Sequence, residues 1–542
     1  MRMTNKIMRN NSIYNINQNK ILRDQLTNQM TTQSKIVRPS DDPVVAIRAL
    51  RLRSNVTTVT QYNDKNADDA DKWLKLTADA LDTVNSVLDG LYEQAETAAN
   101  KYQTSDGLKI IMEQMDSLTK EFYASGNVDY AGRFIFSGYR TDTPVTFTQA
   151  DVLEMEKHPI SYNIEEGLSY KQISTINYTN YDVVDGPTLT SDTTSYEQGV
   201  TNTDLYRFRL SYDGLDSVDA TKNNSKKAGA IQITANSKDG SSTIRIDDTG
   251  VTVIPGNPND SGLFNGMTMK EYADPEEAYR DVANGTFTGI AYCPTSGELV
   301  FGKDVYEGFD ESVNFSFTYD KSSWGNGDVN PVHYFKCTET KDIGDGTMTD
   351  VRKTAYNTQK KEGKDQDIYY DVGFNQQIQV NSRADEVFTH DVGRDMDDFD
   401  HCLKELQGIE TKKKEIEEKM KEFSKDSPQY KDYEKRFKAV EKAEAYIREN
   451  IHNKFENQIS KYQQYEDDTR VAITNNATRM SRLDLISARL TNQKATFKEL
   501  QTDNEGIDVT EVAVELTSSE MTYSAALMAT SKIMQTNLMN YI

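Results

Sequence analysis

This 542-residue chain contains two aspartate triplets whose residue types suggest catalysis. Asp248-Thr249-Gly250 and Asp260-Ser261-Gly262 match the triplet that carries the carboxylates of aspartic proteases. That chemistry requires two carboxylates about 3 Å apart that share a proton, each supplied by its own lobe or subunit. The spacing of 12 residues leaves no room for a lobe between the triplets, and Asp-x-Gly is also ordinary turn composition. The triplets therefore predict turns rather than a protease.

The remaining candidates for catalysis or metal binding also lack a recognisable pattern. Four aspartates lie where a helix is predicted to begin, and they are expected to complement its dipole: Asp395, Asp397, Asp398 and Asp400. The five histidines are isolated in sequence: His158, His333, His390, His401 and His452. The three cysteines, Cys293, Cys337 and Cys402, include no CxxC pair. Since HExxH, GxSxG and GxxxxGK are also missing from the sequence, it predicts no catalytic residue, no metal site and no cofactor.

Charge is distributed unevenly along the chain. There are 62 basic and 86 acidic residues, for a formal net charge of −24, and 36% of the residues are hydrophobic. By segment, residues 1–140 carry +1, residues 141–390 carry −19 and residues 391–542 carry −6. Nucleic acid repels so acidic a chain, and the sequence therefore predicts no nucleic-acid partner. No apolar run approaches the roughly 18 residues of a membrane span, and the start of the chain has no apolar segment typical of a cleaved signal peptide.

The N-terminal segment carries an apolar stripe that needs a partner. The stripe has helical spacing and consists of Met3, Ile7, Tyr14 and Ile21. Asparagines between these residues are poor helix formers, so the segment is expected to be only partly ordered on its own. The stripe predicts a subunit-interaction surface, although a frayed terminus fits the same residues.

A helix-start motif follows, made of Ser40, Asp41, Asp42 and Pro43. Asp42 is a good N-cap, and Pro43 suits the first helical position because proline lacks the N–H that would be unpaired there. With no histidine, cysteine or third carboxylate nearby, capping is the better interpretation of the two aspartates. Beyond the motif, apolar residues recur every three or four positions over 62–102, 108–122 and 396–500, which predicts long amphipathic helices. A break within the last of these ranges is predicted at Ser427-Pro428, because proline interrupts the helical hydrogen bonds.

The chain closes on an apolar helix that Asp508 is expected to begin. Its stripe consists of Leu516, Tyr523, Leu527, Met534, Leu538 and Tyr541. A terminal helix this apolar must dock on something. Core packing within the monomer and contact with another subunit fit the pattern equally.

Short alternating strands separated by turn residues fill residues 141–390, which predicts an inserted antiparallel β domain. The predicted fold class is therefore mainly α with an inserted β-rich domain, in which N- and C-terminal helices pair into an elongated coiled-coil bundle. The predicted division is 1–42 and 505–542 as terminal helical assembly segments, 43–140 and 391–504 as a helical rod, and 141–390 as the β-rich outer part.

Read together, the two ends of the chain resemble the flagellar hook-associated proteins of the FlgL type, within the flagellin-like superfamily. The motifs that carry the resemblance occur in order: the amphipathic start, Ser40 to Pro43, Asn127 with Gly132 to Tyr139 and Thr141, Arg482-Leu483-Asp484, Asp508 to Glu511, and Tyr523 to Leu527 with the helix that continues to Tyr541. The resemblance is good over about 1–147 and 470–542, weak over 366–390, and absent across most of the insert.

The resemblance implies a structural protein that joins hook to filament by polymerising through its paired terminal helices. Its implied partners are further copies of itself in a tubular assembly, other hook-associated proteins, flagellin, an export chaperone that holds the C-terminal helix, and the flagellar export apparatus. Nucleic acid and membrane are not among them. The implied location is the extracellular flagellum, reached without cleavage of a signal peptide.

Two other functions are compatible with the same chain ends. Flagellin, the filament subunit, also has paired terminal helices, but the proline after Asp41-Asp42 and the strand from Phe134 to Tyr139 favour the junction protein. A secreted enzyme carried on a flagellin-like core is the second alternative, and the missing nucleophile and metal motifs argue against it.

Overall fold

The computed structural model describes residues 5–100, 103–187, 195–237, 240–255, 263–358 and 366–535. The chain divides into two compact units. The first unit contains residues 1–72, 369–379 and 479–542, and the second contains residues 73–368 and 380–478. No helix within the described residues is long and apolar enough to cross a membrane.

Long helices form both ends of the chain and shorter ones lie between them. In chain order the helices are α1 Asn5–Thr32, α2 Pro43–Gln61, α3 Asp68–Ala98, α4 Ser105–Ala124, α5 Gln149–Lys157, α6 Pro275–Ala283, α7 Lys303–Glu307, α8 Ala384–Val387, α9 Asp391–Lys421, α10 Pro428–Glu505 and α11 Val509–Gln535. A π-helical turn over Tyr62–Ala67 joins α2 to α3. Helix α10 begins at Pro428, where the sequence predicts a break, because proline suits the first turn of a helix and not its interior.

Strands occupy the middle of the chain, apart from two short hairpins. They are β1 Asp129–Tyr130, β2 Arg133–Phe134, β3 Ile160–Ser169, β4 Ser174–Asn180, β5 Thr201–Arg209, β6 Ile231–Ser237, β7 Gly240–Asp247, β8 Gly250–Pro255, β9 Met269–Glu271, β10 Ile290–Cys293, β11 Glu298–Phe301, β12 Asn314–Lys321, β13 Lys336–Asp342, β14 Val351–Tyr356, β15 Tyr369–Gly373 and β16 Gln376–Gln379. The prediction of a mainly helical chain with a β-rich insert is confirmed.

Two sheets of the second unit pack on each other through a phenylalanine cluster. One sheet has the order β14-β13-β3-β12-β6-β7-β8, and the other has the order β4-β5-β11-β10-β9. All pairs are antiparallel except β9 with β10. Phe208 of β5 lies 4.7 Å from Phe315 and 5.0 Å from Phe317 of β12, measured between ring centroids. These buried rings form the core between the sheets, since aromatic side chains bury the most apolar area.

The turn predicted at Asp248-Thr249-Gly250 lies between β7 and β8. There the Asp247 carboxylate accepts a hydrogen bond from the backbone N–H of Thr249, at 2.9 Å, and Gly250 has a positive φ of 109° that favours glycine. The second triplet, Asp260-Ser261-Gly262, lies outside the described residues.

Two arginines of β5 reach α9 from the face opposite the phenylalanine cluster, because successive side chains of a strand point to opposite faces. Arg207 donates two hydrogen bonds of 2.7 Å to Asp398 and one of 2.5 Å to Glu298 of β11. Arg209 contacts Asp395 at 2.6 Å and Asp398 at 3.0 Å. The Arg207 side chain is 2% exposed and that of Asp398 is 6% exposed, so this is a buried charged cluster.

Helix α10 completes the charge balance of this cluster. Lys454 contacts Asp398 at 2.6 Å, and Lys461 contacts Asp395 at 2.8 Å. Between the two lysines on the same helical face, Gln458 donates a 2.6 Å hydrogen bond to Asp395. The cluster therefore joins a strand of the insert to two helices, and each buried carboxylate meets more than one donor.

The placement of Asp395 and Asp398 differs from the sequence prediction of a helix-dipole role. Burial opposes ionisation of Asp395, yet the positive charges of Arg209 and Lys461 hold its pKa below the usual range. Burial likewise opposes ionisation of Asp398, but Arg207 and Lys454 hold its pKa well below the usual range. Both carboxylates are therefore ionised partners in a buried network. The prediction missed this because the arginines come from a distant strand.

We expect Arg207→Met to lower the free energy of unfolding of the second unit by about 3–5 kcal/mol, because it leaves the buried Asp398 and Glu298 carboxylates short of a partner. The matched control is Lys404→Met, which removes an exposed ion pair with Asp400 and is expected to cost under about 1 kcal/mol. Urea denaturation followed by tryptophan fluorescence measures both, since both tryptophans lie in this unit. An equal effect of the two substitutions would contradict a structural role for the network.

Candidate assembly surface

The two terminal helices pack against each other within the first unit. Each helix contributes a stripe of partly or fully buried side chains at steps of three or four residues. This spacing is expected for the buried face of a helix. The stripe on α1 is Met8, Ser12, Ile16, Asn19, Arg23 and Leu26, and that on α11 is Val512, Leu516, Ser519, Tyr523, Ala526 and Thr530. Small and polar residues make up half of the two stripes.

One contact within this pair is a cation–π interaction. The Arg23 guanidinium lies over the Tyr523 ring, 4.9 Å from its centroid. Leu26 and Val512 are the buried apolar residues of the two stripes, with 5% and 8% of their surface exposed. Fully buried apolar side chains are therefore few in this pair, and isolated helices need such a partner to be stable in water.

The predicted subunit-interaction residues of α1 lie on the side away from this pairing. Ile7, Tyr14 and Ile21 are 49%, 63% and 59% exposed. Their seven-residue spacing places them on one helical face, nearly opposite the stripe that contains Leu26. The predicted residue Met3 lies outside the described residues.

The predicted residues of α11 divide between the two sides of the helix. Leu516 and Tyr523 belong to the stripe that pairs with α1, whereas Leu527 is 43% exposed. Leu538 and Tyr541 lie outside the described residues, as does the side chain of Met534. Packing within the monomer therefore accounts for Leu516 and Tyr523, whereas subunit contact through Leu527 stays a prediction.

A further apolar stripe on α11 is absent from the sequence prediction. Val514, Met521 and Met528 are 66%, 64% and 71% exposed and share one face through their seven-residue spacing. That repeat was visible in the sequence. It was missed because a second apolar repeat on the same helix, which includes Leu516 and Tyr523, describes the pairing face.

Exposed apolar side chains concentrate in the first unit. Among the described residues, 18 of the 25 exposed large hydrophobic side chains belong to it, although it contains little more than a quarter of the chain. On helix α2 they include Val44, Ile47 and Leu50, each about 60% exposed. Scattered exposed apolar residues are normal on a soluble monomer, whereas a concentration of this kind is typical of an interaction surface.

The segment between α1 and α2 is fixed by backbone hydrogen bonds to the end of α10. Lys35 donates its backbone N–H to the Glu505 carbonyl at 2.7 Å. The Glu505 carboxylate accepts a 2.9 Å hydrogen bond from Nε of Arg53 on α2. Since Glu505 is buried while the Arg53 side chain is 54% exposed, this contact forms a partly buried link between the N-terminal and C-terminal parts of the first unit.

The predicted helix-start motif lies in this segment. The Asp42 carboxylate accepts hydrogen bonds from the backbone N–H groups of Val44 and Val45 at 2.9 and 3.1 Å, and Pro43 occupies the first turn of α2. The neighbouring Asp41 carboxylate accepts hydrogen bonds from the backbone N–H groups of Arg38 and Val37, which lower the pKa of Asp41. Ser40 is exposed. The two aspartates thus organise backbone and have no arrangement suited to catalysis.

The N-terminal helices are similar to those of a known protein family. Residues 3–141 match the family model described as the bacterial flagellin N-terminal helical region. This match spans roughly a quarter of the chain and includes α1 to α4 with the hairpin of β1 and β2.

A more specific similarity lies within the hook-associated proteins. Over 116 residues the chain is 28% identical to flagellar hook-associated protein 3 of Escherichia coli (strain K12), which covers 21% of this chain and 36% of that protein. The chain therefore aligns with about a third of this relative's length. The resemblance predicted from the motifs at the two ends is confirmed by these matches.

Two solved structures are also similar. Crystal structures of FlgL from Xanthomonas campestris and from Legionella pneumophila each share 11% identity, with TM-scores of 0.26 and 0.25. The first alignment covers 82% of this chain and 98% of that structure, and the second covers 81% and 99%. At TM-scores this low, neither alignment bears on the arrangement of the present chain.

We expect Asp42→Ala to weaken the first turn of α2 by about 1 kcal/mol, because two backbone N–H groups lose their acceptor. Native-state hydrogen exchange of the Val44 and Val45 amides measures this as about fivefold faster exchange. Asp42→Ser is the matched control, since serine also caps helices well. Equal acceleration in both variants would show that the cap does not stabilise this turn.

Proposed function

We propose that this chain is a structural protein of the bacterial flagellum that joins hook to filament, polymerising through its paired terminal helices. The observation that carries the proposal is the concentration of exposed apolar side chains in the unit formed by the two chain ends. The similarity of residues 3–141 to the flagellin helical region and the match to a hook-associated protein support a flagellar role. Further copies of the chain are the expected occupants of the exposed stripes.

The proposed division of labour follows the sequence prediction. Residues 1–42 and 505–542 would form the inner layer of a tubular assembly, residues 43–140 and 391–504 a helical rod, and residues 141–390 the outward-facing part. The charge distribution supports this division, because the outer segment carries −19 and the terminal segments are close to neutral. Acidic surface favours solubility, whereas apolar and weakly charged surface favours association.

The proposed role is structural rather than catalytic. The aspartates that could act as acids or bases are held in ion pairs or backbone hydrogen bonds, as Asp398 and Asp42 illustrate. Burial raises the pKa of the Cys293 and Cys337 thiols, which disfavours the reactive thiolate. Partners would then be other hook-associated proteins, flagellin and the export machinery with its chaperone, at an extracellular location.

Flagellin itself is the second candidate, because the matched family model is that of the flagellin N-terminal region. Filament subunits and junction proteins would share the pairing of α1 with α11. The position of the protein on the flagellum distinguishes them, since junction proteins occupy one boundary and flagellin occupies the whole filament.

Immunogold labelling of intact flagella with antibody against the β-rich insert tests the location. We expect gold particles confined to the boundary between hook and filament. Labelling along the whole filament would instead support flagellin, and absence of label from isolated flagella would contradict a flagellar role. Truncation after residue 519 is the companion variant and is expected to be unable to join filaments to hooks.

The exposed stripe of α11 is tested by Met521→Glu in a strain that lacks the wild-type chain. Placing a charge where a methionine is buried between subunits loses about 1.5–3 kcal/mol of association free energy per contact. A change of about 1.4 kcal/mol is a factor of ten in an equilibrium constant. We expect the fraction of hooks that carry filaments, counted by electron microscopy, to fall about tenfold or more.

Met521→Leu is the control, since it keeps an apolar side chain of similar volume at the same place. Circular dichroism of both purified variants should match the wild type, because Met521 is 64% exposed in the monomer. The amount of chain in the culture medium separates failed export from failed assembly. Normal filaments on Met521→Glu cells would show that this stripe is not a subunit contact.

A further inference from the structure

One cluster of metal-ligating side chains lies outside the assembly surface, in the second unit. Glu276 stands in the first turn of α6, and His401 and Glu405 stand one turn apart on α9. One ligand atom from each of the three residues lies within 4.8 Å of the other two. His401 Nε2 is 2.5 Å from Glu276 Oε1, and His401 Nδ1 is 3.9 Å from Glu405 Oε2. Two separate elements thus converge on one imidazole.

The surroundings of the imidazole are partly dry. The side chains of His401 and Glu405 are 22% and 14% exposed, and the Tyr279 ring packs edge-on against His401 with centroids 5.4 Å apart. Glu276 is 46% exposed, so solvent reaches the cluster from its side. The Nε2 atom of His401 is inaccessible to solvent, and its contact with Glu276 lacks the geometry of a hydrogen bond. A buried polar atom without a directed partner calls for an explanation.

The cluster holds more carboxylates than basic side chains. Two carboxylates face one imidazole, which carries at most a single positive charge. Within the described part of the chain, no lysine or arginine forms an ion pair with Glu276 or Glu405. The contrast with the network around Arg207 is direct, because there each buried carboxylate contacts at least one arginine or lysine. A bound cation would supply the missing charge.

We propose that Glu276, His401 and Glu405 bind a divalent transition-metal ion of the zinc class, with a water molecule in the remaining position. One imidazole nitrogen with two carboxylate oxygens is a donor set for such ions, whereas magnesium and calcium prefer oxygen ligands alone. Zinc–ligand bonds of about 2.0–2.2 Å place ligand atoms at most about 4.4 Å apart. Glu276 faces Nε2 of His401 and Glu405 faces Nδ1. Since one imidazole offers a single nitrogen to an ion, a change of side-chain torsion would have to bring both carboxylates to the same nitrogen.

The metal would join the insert to the helical part of the second unit. Helix α6 packs on the five-stranded sheet, whereas α9 also carries Asp395 and Asp398 of the buried network. The site would thus add a second link between the two parts, about one turn beyond Asp398 on α9. Because the ligands come from both parts, binding favours the folded unit over the unfolded chain.

A second histidine–glutamate pair lacks a third ligand in the part of the chain that the structure describes. His452 and Glu456 are also one turn apart, on α10, and His452 Nε2 is 3.1 Å from Glu456 Oε1. No third acidic, histidine or cysteine ligand joins this pair within the described residues. The pair therefore provides an internal control for zinc binding by one histidine with a single glutamate.

Zinc titration of the full chain by calorimetry tests the site. We expect one zinc ion per chain, no comparable binding of magnesium, and a higher Tm in zinc than in chelator. Glu276→Gln should weaken zinc binding by about tenfold or more, and its exposed position keeps the fold intact. Glu405→Gln is the second ligand variant. Glu456→Gln is the matched control and should leave zinc affinity within about twofold of the wild type.

X-ray absorption of the zinc-loaded chain identifies the ligands independently of the variants. We expect one imidazole nitrogen with oxygens completing the shell. Sulfur in the shell would point to Cys402, which follows His401, and would overturn the proposed ligand set. An unchanged affinity in both Glu276→Gln and Glu405→Gln, or no zinc binding by the wild type, would overturn the site itself.

Discussion

The buried charges between β5 and α9 are the constraint on which the second unit depends. Arg207 and Arg209 lose their hydration when the strand packs on the helix, and only carboxylates in the right places compensate for that loss. Asp395 and Asp398 supply them, and Lys454 on α10 brings the third element into register. A buried pair tolerates little error in position, so the network fixes how the β-rich insert meets the helices.

The first unit follows the opposite physical logic. Its terminal helices are held together by contacts such as the Arg23–Tyr523 stacking and the burial of Leu26, with few buried charges or large apolar residues. Much of its apolar surface, including Tyr14 and Met521, remains exposed in the monomer. Apolar surface exposed in this way favours association with other surfaces, as the proposed polymerisation requires.

Local sequence patterns were sufficient to predict the helices and strands of the architecture. The helix start at Asp42-Pro43, the break at Pro428 and the alternating residues of the insert each report on neighbours a few positions away, and the structure places helices and strands accordingly. The aspartates of α9 could not be interpreted this way. Asp391, Asp395 and Asp398 have the same i, i+4, i+7 spacing as Lys454, Gln458 and Lys461 on α10. Only the packing of β5 shows which charges they meet.

The sequence by itself determined the helical ends, the β-rich insert, the capping role of Asp42 and the similarity of the chain ends to flagellar proteins, because propensity, periodicity and motif order are local properties. Only the tertiary structure decided that Ile7 and Val514 face outward while Leu516 faces a helix of the same chain, and that Glu276 lies beside His401. Contacts of this kind join residues far apart in sequence. They depend on how helices and strands pack together, which the sequence of a single helix or strand does not specify.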